Sequence, residues 1–331
     1  MLMSMSSNEL VADRIFVDGH NLVLRAQNAP ALARLKDRKG RLTGVFHGVL
    51  RTVLSLQESA YGARITFVWD GSSLRRKAIY SGYKSNRQAP GGGGASGPSH
   101  DVEWLRYTLP MFGVEQAFNA DEEADDVIAA LVRKTPETER ALILSTDRDF
   151  LQLVTERVCV LAPPPKSVLG RGKIYDVARV KSEYGVASDT MVLLRAVAGD
   201  VSDNLQGVDG IGPKIAAKLW ALMGPVLCER DPGGERCGRD LLALDRAFAL
   251  LRDGAKGLTK LQVKRLLAAE TVVRRNVALM TLLPGVDVSV TPARQDERAL
   301  ERELLEFGLS ALAKARKSTK TRTARQTSFR A

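Results

Sequence analysis

The chain is poor in the residues that carry thiol and soft-metal chemistry. Three cysteines (Cys159, Cys228 and Cys237) and three histidines occur among 331 residues. The cysteines form no CxxC pair and no zinc-ligand spacing, which excludes a disulfide framework and an ordinary zinc module. Free thiols in a reducing compartment are expected instead. No apolar run on the order of 18 residues occurs, so no membrane span is expected. The opening MLMSMSSNELVADR lacks a basic stretch followed by an apolar one, and does not read as a secretory leader. A cytoplasmic location is the expectation. No internal repeat is visible.

Acid is also in deficit. Lys and Arg number 49 against 38 Asp and Glu, a net charge of +11. The sequence pI is about 9.7. Such a surplus points to a polyanionic partner, nucleic acid before an acidic membrane. With 44% hydrophobic residues the chain can bury a core of one large domain or two ordinary ones.

Residues 14–18, 64–69 and 141–145 read as buried strands, with a shorter one at 158–162. Between the first two lies TGVFHGVLRTVLSLQESA (43–60), apolar at 45, 46, 49, 50, 53, 54 and 56, a helical spacing. Strand, helix, strand implies a right-handed crossover and a parallel sheet. Helices are also expected over 101–113 and over EADDVIAALV from 123. From about 186 the pattern changes to short helices with glycine turns, with no strong strand signal before 286–290. The fold class is therefore α/β: a mostly parallel sheet flanked by helices over 1–186, then a helical region over 187–310. Residues 311–331 carry seven basic residues and no acid, and read as a mostly disordered basic tail. QAPGGGGASGPSH (88–100) reads as a flexible loop, because four consecutive glycines cannot hold a helix.

The few acids are not spread evenly. Asp18, Asp70 and Asp147 each follow a strand, with Asp149 just beyond. Glu123, Asp125 and Asp126 open a helix, and Asp200 and Asp203 lie in AGDVSDN. Carboxyl ends of parallel strands form the ligand crevice of an open α/β sheet, so these acids should converge there. At 4 Å each carboxylate pair repels by about 1 kcal/mol in water and about 4 at an intermediate dielectric. Cations must offset that, and all-oxygen ligands favour Mg²⁺ or Mn²⁺. Singly, each acid could equally cap a helix or a turn. Asp126 is the weakest candidate, since three acids so spaced point different ways around one helix.

Two further stretches suit a phosphate backbone. In SLRRKAIYSGYKSNR (73–87), Arg76, Tyr80, Tyr83, Lys84 and Arg87 would form one helical face of cations and aromatic rings. Such groups suit phosphates and unstacked bases. In GVDGIGPKIAAKLW (207–220), Gly210 and Gly212 bracket Ile211, and Pro213 suits a first helical position. Lys214 and Lys218 stand on the next turns. Ile211 would plug the core while the glycines and free helix N–H groups approach an anion.

In order, FVDG, FVWD, RK…Y..YK..R, EEADD, STDRD and GDVSDNLQGVDGIGPKIA resemble the 5′-nuclease family. That family comprises the 5′→3′ exonuclease domain of bacterial DNA polymerase I and the bacteriophage flap endonucleases. The resemblance covers residues 14 to about 220, with a weaker echo in ELLEFGLSALA (303–313). It implies a metal-dependent 5′-nuclease acting on branched or 5′-flap DNA, with RNA–DNA primers as further substrates. It implies two Mg²⁺ (Mn²⁺ as alternative) held by Asp18, Asp70, Glu123, Asp125, Asp126, Asp147, Asp149, Asp200 and Asp203. Arg76 and Lys84 would act on the scissile phosphate. Arg76, Tyr80, Tyr83, Lys84 and Arg87 would line an arch over about 71–103. Gly210, Ile211, Gly212, Lys214 and Lys218 would hold duplex DNA in a helix-hairpin-helix that also takes K⁺. The glycine run departs from the family's arch and puts strict strand threading in doubt. A monomer is expected, with a sliding clamp or a single-strand-binding protein as weaker partner expectations. A non-catalytic junction-binding protein and an RNA-directed ribonuclease are the rival readings. The full acid set speaks against the first, and the hairpin with the basic arch against the second.

Overall fold

Alternate residues of the first strand enter different apolar clusters. The computed structural model describes residues 11–60, 62–88, 100–164, 172–222, 236–254, 257–294 and 296–316. In β1 (Arg14–Asp18), Ile15 and Val17 face one side and Phe16 the other, all at most 3% exposed. A strand buried on both faces reads as a near-continuous apolar run, as IFV in RIFVD, FVW in RITFVW and ALIL do.

Along the chain β1 leads into α1 (Gly19–Gln27), α2 (Gly44–Ser59) and β2 (Arg64–Trp69). There follow α3 (Leu74–Ile79), α4 (His100–Thr108), β3 (Glu115–Phe118), α5 (Ala124–Lys134), β4 (Ala141–Leu144), β5 (Val158–Ala162) and β6 (Lys173–Tyr175). The helical half holds α6 (Val177–Tyr184), α7 (Met191–Ala198), a ribbon of β7 (Gly199–Asp200) and β8 (Leu205–Gln206), and α8 (Pro213–Leu222). It continues through α9 (Arg236–Arg252), α10 (Lys260–Ala268), α11 (Glu270–Met280), β9 (Ser289–Thr291), α12 (Glu297–Glu306) and α13 (310–316).

The main sheet runs β6-β5-β4-β1-β2-β3-β9. Its inner strands β5, β4, β1, β2 and β3 pair in parallel, and β6 and β9 close the edges antiparallel. The chain leaves β1 towards β2 and returns on its other side as β4, so the strand order reverses there. A cleft opens at the carboxyl ends at such a reversal. One face packs on α5, α7, α8, α9 and α11, and the other on α1, α2 and α4. The first cluster runs unbroken from Phe16 and Val68 to Leu266 and Val277, across residue 186.

Several expectations need correction. The stretch 73–87 is not one helix: α3 stops at Ile79, Tyr80 is extended, and Lys84 has φ +54. The expected single face of cations and tyrosines therefore does not form. The helix expected over 101–113 ends at Thr108 and tightens into a 3₁₀ turn over Leu109–Phe112, where Pro110 cannot continue the α-helical ladder. The late strand is Ser289–Thr291, and it pairs with β3 rather than belonging to the helical region. Strands β3 and β6 were not expected; runs of four and three residues carry too little periodicity to read. The tail begins later than 311. Residues 310–316 are helical, Leu312 is buried, and the buried Arg316 donates to the Phe112 carbonyl at 3.0 Å. Moreover α12 and Phe307 pack against Phe46 and Trp104 on the sheet's far face, not against the glycine hairpin. Residues 89–99 of the glycine-rich loop and 317–331 of the tail lie outside the described residues. No helix among the described residues is long and apolar enough to cross a membrane.

Candidate metal centre and nucleic-acid interface

Asp18 ends β1 and caps α1. Its side chain accepts from the Asn21 N–H at 3.1 Å and from Ser145 Oγ at 2.8 Å, tying the ends of β1 and β4 together. Gly19 permits this turn: a Cβ there would lie 2.8 Å from the Trp69 ring and 2.9 Å from the Val68 carbonyl oxygen. Asp70 follows β2 and accepts the Ala124 N–H at 2.8 Å, fixing the start of α5 beside it. Asp147 accepts the Asp149 N–H at 2.8 Å and turns the chain after β4. Asp125 sits in the first turn of α5, where the helix dipole favours an acid.

These carboxyls feel one another. Burial, with Asp70 next in weight, pushes Asp18 up to about 7. Burial and the Asp147 charge hold Asp125 well above the usual carboxylate range. Burial pushes Asp149 up to about 7; Arg195 opposes that, and Asp147, Asp203 and Asp200 reinforce it. Neutral carboxyls are the protein's own answer to crowded, desolvated negative charge.

Basic groups take up part of the rest. Lys84 Nζ lies 2.7 Å from Glu123 Oε1 and only 15% of its side chain is exposed. Against the cost of burial, Lys84 and Arg76 hold the Glu123 carboxyl below its ordinary value. Arg195, from α7, bonds Asp200 and lies 2.9 Å from Asp149 Oδ1. That second contact is an ion pair without hydrogen-bond geometry, and both Arg195 Nε and Asp149 Oδ1 are buried without a hydrogen-bond partner. Asp203 is reached through Tyr83, whose hydroxyl lies 2.9 Å from Glu123 Oε2 and 3.2 Å from Asp203 Oδ2. One hydroxyl proton serves only one of these acceptors at a time.

The donor set suits a hard cation. The acids gathered by these strand ends offer oxygen ligands, three carboxyls are driven towards neutrality, and one buried carboxylate oxygen has no hydrogen-bond partner. Among the described residues, no three Asp, Glu, His or Cys side chains are drawn close enough to grip an ion as they stand. Serine, backbone N–H groups and arginine hold them instead.

Three expected roles do not survive. Asp126 is fully buried and meets Arg76 through both oxygens, at 2.6 and 3.0 Å, while also accepting the Leu283 N–H at 2.8 Å. It faces away from the mouth and ties α5 to the chain after α11. Arg76 is 2% exposed and also donates to the Leu279 carbonyl at 2.9 Å, so it does not present its charge to a phosphate. Burial works against that charge, but Asp126, Tyr83 and Glu123 together outweigh it and hold the guanidinium above its ordinary pKa. Tyr83 is 3% exposed and offers no face to a base. Tyr80 is half-buried, with the Arg275 guanidinium 4.1 Å over its ring. The Arg87 side chain lies outside the described residues.

The hairpin folds as its sequence suggests. Gly210 is left-handed at φ +66, Ile211 is 2% exposed, and α8 starts at Pro213. Lys214 and Lys218 are exposed along α8. Sequence reasoning missed Arg195, although a lone charge inside the apolar MVLLRAVA was its signal. It also missed His20, whose Nδ1 lies 3.2 Å from Asp70 Oδ2 and accepts the Asp70 N–H at 3.1 Å.

Known proteins resemble the chain in sequence and in fold. The family described as 5′-3′ exonuclease, N-terminal resolvase-like domain, matches residues 13–185. DNA polymerase I of Pseudomonas aeruginosa is 31% identical over 88% of this chain, which spans 30% of that polymerase's length. A 5′-3′ exonuclease of Bacillus subtilis is 31% identical over 65% of this chain and 70% of its own. The T5 5′-exonuclease, solved with zinc ions bound, superposes with a TM-score of 0.59 at 21% identity, over 93% of this chain and 98% of that one. The fold is thus shared at low identity, and the match over residues 13–185 shows that the chain belongs to the 5′-3′ exonuclease family.

Proposed function

We propose that the protein is a structure-specific 5′-nuclease that hydrolyses DNA phosphodiesters at 5′ ends and 5′ flaps, in primer or flap removal or in repair. The carrying observation is the strand-end mouth, where Asp18 and Asp149 are pushed up to about 7 and Asp149 Oδ1 is a buried acceptor without a donor. Asp18, Asp70, Glu123, Asp125, Asp147, Asp149, Asp200 and Asp203 would hold two Mg²⁺, with Mn²⁺ as an alternative. Bound there, the ions would acidify a water and stabilise the leaving 3′ oxygen. Lys84, at the rim beside Glu123, would draw in the scissile phosphate once that carboxylate is otherwise engaged. Arg195 would hold Asp149 and Asp200 in register from below. The exposed lysines of α8 and the N–H groups behind Gly210 would hold the duplex by its backbone, without reading bases. K⁺ at that hairpin and RNA–DNA primers rest on the resemblance alone, and duplex affinity in KCl against LiCl tests the first.

The test is cleavage of a 5′-flap duplex labelled at the 5′ end and internally, with Mg²⁺ and with excess EDTA. Cleavage at the junction with Mg²⁺, lost in EDTA and in Asp147→Asn while duplex binding survives, is expected. Cleavage that persists in EDTA would end the metal reading. Binding without cleavage would leave a junction-binding protein.

A further inference from the structure

Among the described residues, only two other than glycine have a left-handed backbone, and they sit opposite each other across one contact. Lys84 has φ +54 and Asn204 has φ +57. The Lys84 N–H donates to the carbonyl of Asp203, the residue before Asn204, at 3.0 Å. The Asn204 amide answers from the other side, with Nδ2 donating to the Gly82 carbonyl at 2.8 Å and lying 3.0 Å from Ser85 Oγ. These two partners flank Tyr83 and Lys84. Asn86 Nδ2 donates to the Val201 carbonyl at 3.0 Å, and the Tyr83 hydroxyl lies 3.2 Å from Asp203 Oδ2. Segment 82–86 is thereby strapped to the loop between β7 and β8.

We infer that Asn204 is a positioning residue that acts through Lys84. Lysine in the left-handed region is strained, because its Cβ crowds the following carbonyl oxygen. Such strain persists only where the surroundings over-determine it. Here the surroundings are the Asn204 amide and the Asp203 carbonyl. Asparagine is suited to the reciprocal place, because its short polar side chain tolerates a left-handed backbone. The reversal at Lys84 is what sends its side chain over the Tyr83 ring, 4.9 Å from the centroid, to reach Glu123 at 2.7 Å. Without the strap the segment can relax to an ordinary conformation and carry Nζ away from the mouth. The inference rests on the nuclease reading for its kinetic consequence, but not for the strap itself.

Asn204→Gly separates the two roles, since glycine keeps the left-handed backbone and deletes the amide. With the full chain, Mg²⁺ and a 5′-flap duplex, Asn204→Gly should lower kcat about tenfold to a hundredfold with KM unchanged, as a misplaced group does. In a Lys84→Ala background the same change should add nothing, because residues acting as one unit are non-additive. An equal loss in both backgrounds, or no loss in either, overturns the inference. Amide hydrogen exchange of metal-free protein should quicken over 82–86 in Asn204→Gly and stay unchanged over β1, β2 and β4. Unchanged exchange over 82–86 overturns the strap. That arm needs no activity, so it decides the strap even if the wild-type chain leaves flap DNA uncut, which would sink the nuclease reading. Should Asn204→Gly not fold, Asn204→Asp replaces it: it can accept from Ser85 but cannot donate to Gly82. It should also quicken exchange over 82–86; protection equal to wild type overturns the inference.

Discussion

Arg76 and Asp126 are opposite charges closed off from water, each also bonded to a carbonyl or an N–H of the chain between Leu279 and Leu283. Removing one partner of such a pair leaves a bare buried charge, which costs about 3–5 kcal/mol. Arg76→Ala or Asp126→Ala should therefore lower the urea midpoint sharply, whereas Asp147→Asn, at the mouth, should leave it near wild type. If Arg76→Ala abolished cleavage with stability unchanged, the structural role assigned to Arg76 would be wrong. Cys159 shows the same logic with a proton. Burial pushes its thiol from the usual 9.0 up to about 12. Between those values the unfolded chain has lost the proton and the native state keeps it, so the unfolded state binds fewer protons. Stability from this residue is then full below about pH 9 and declines as pH rises towards 12. Between about pH 8 and about pH 10.5, wild type should lose more stability than Cys159→Ala, as read by urea unfolding.

At the scale of elements, the two hairpin glycines have different reasons for being there. Gly210 is left-handed, and an added Cβ would sit 1.9 Å from the Arg265 guanidinium. Gly210→Ala should therefore destabilise the protein by about 1–2 kcal/mol. Gly212 has open space where a Cβ would go. Gly212→Leu should leave the melting temperature unchanged and still weaken duplex binding, because the side chain would stand where a DNA backbone comes close. Unchanged affinity in a band-shift assay would remove the hairpin from the duplex interface. The stretch 73–87 teaches a related lesson. Its i, i+4, i+7 spacing was correct as arithmetic, but the chain turns at Tyr80 and Lys84, so spacing no longer gives direction. Arg76 went into the core while Lys84 stayed at the rim.

Over the whole molecule, the surplus of +11 surrounds a small concentration of acid. Binding to duplex DNA should weaken with salt, by about 0.9 log unit per phosphate contact for each log unit of salt. Lys214→Ala together with Lys218→Ala should lower that slope by about 2 if both touch phosphates. A salt-independent affinity would contradict backbone binding. The core that carries the glycine hairpin is continuous: the cluster below one sheet face also packs α7, α8, α9 and α11. The glycine hairpin is thus built onto the same rigid body as Asp18 and Asp147, rather than tethered to it.

The parallel sheet, its helical partner α5, the acids that follow its strands and the glycine hairpin were legible in the sequence. Each is written in local terms: apolar runs that end on an acid, a 3.6-residue repeat, and glycine and proline at fixed offsets. What tertiary structure alone decided was the direction of side chains after a turn and the identity of distant partners. Asp126 and Arg76 read as site residues because nothing local reveals that Leu279 and Leu283 close over them. Arg195 was overlooked because its partners, Asp149 and Asp200, meet it only once α7 lies under the mouth. Charge type and spacing belong to the sequence, whereas burial and pairing depend on chain segments that meet only in the folded state.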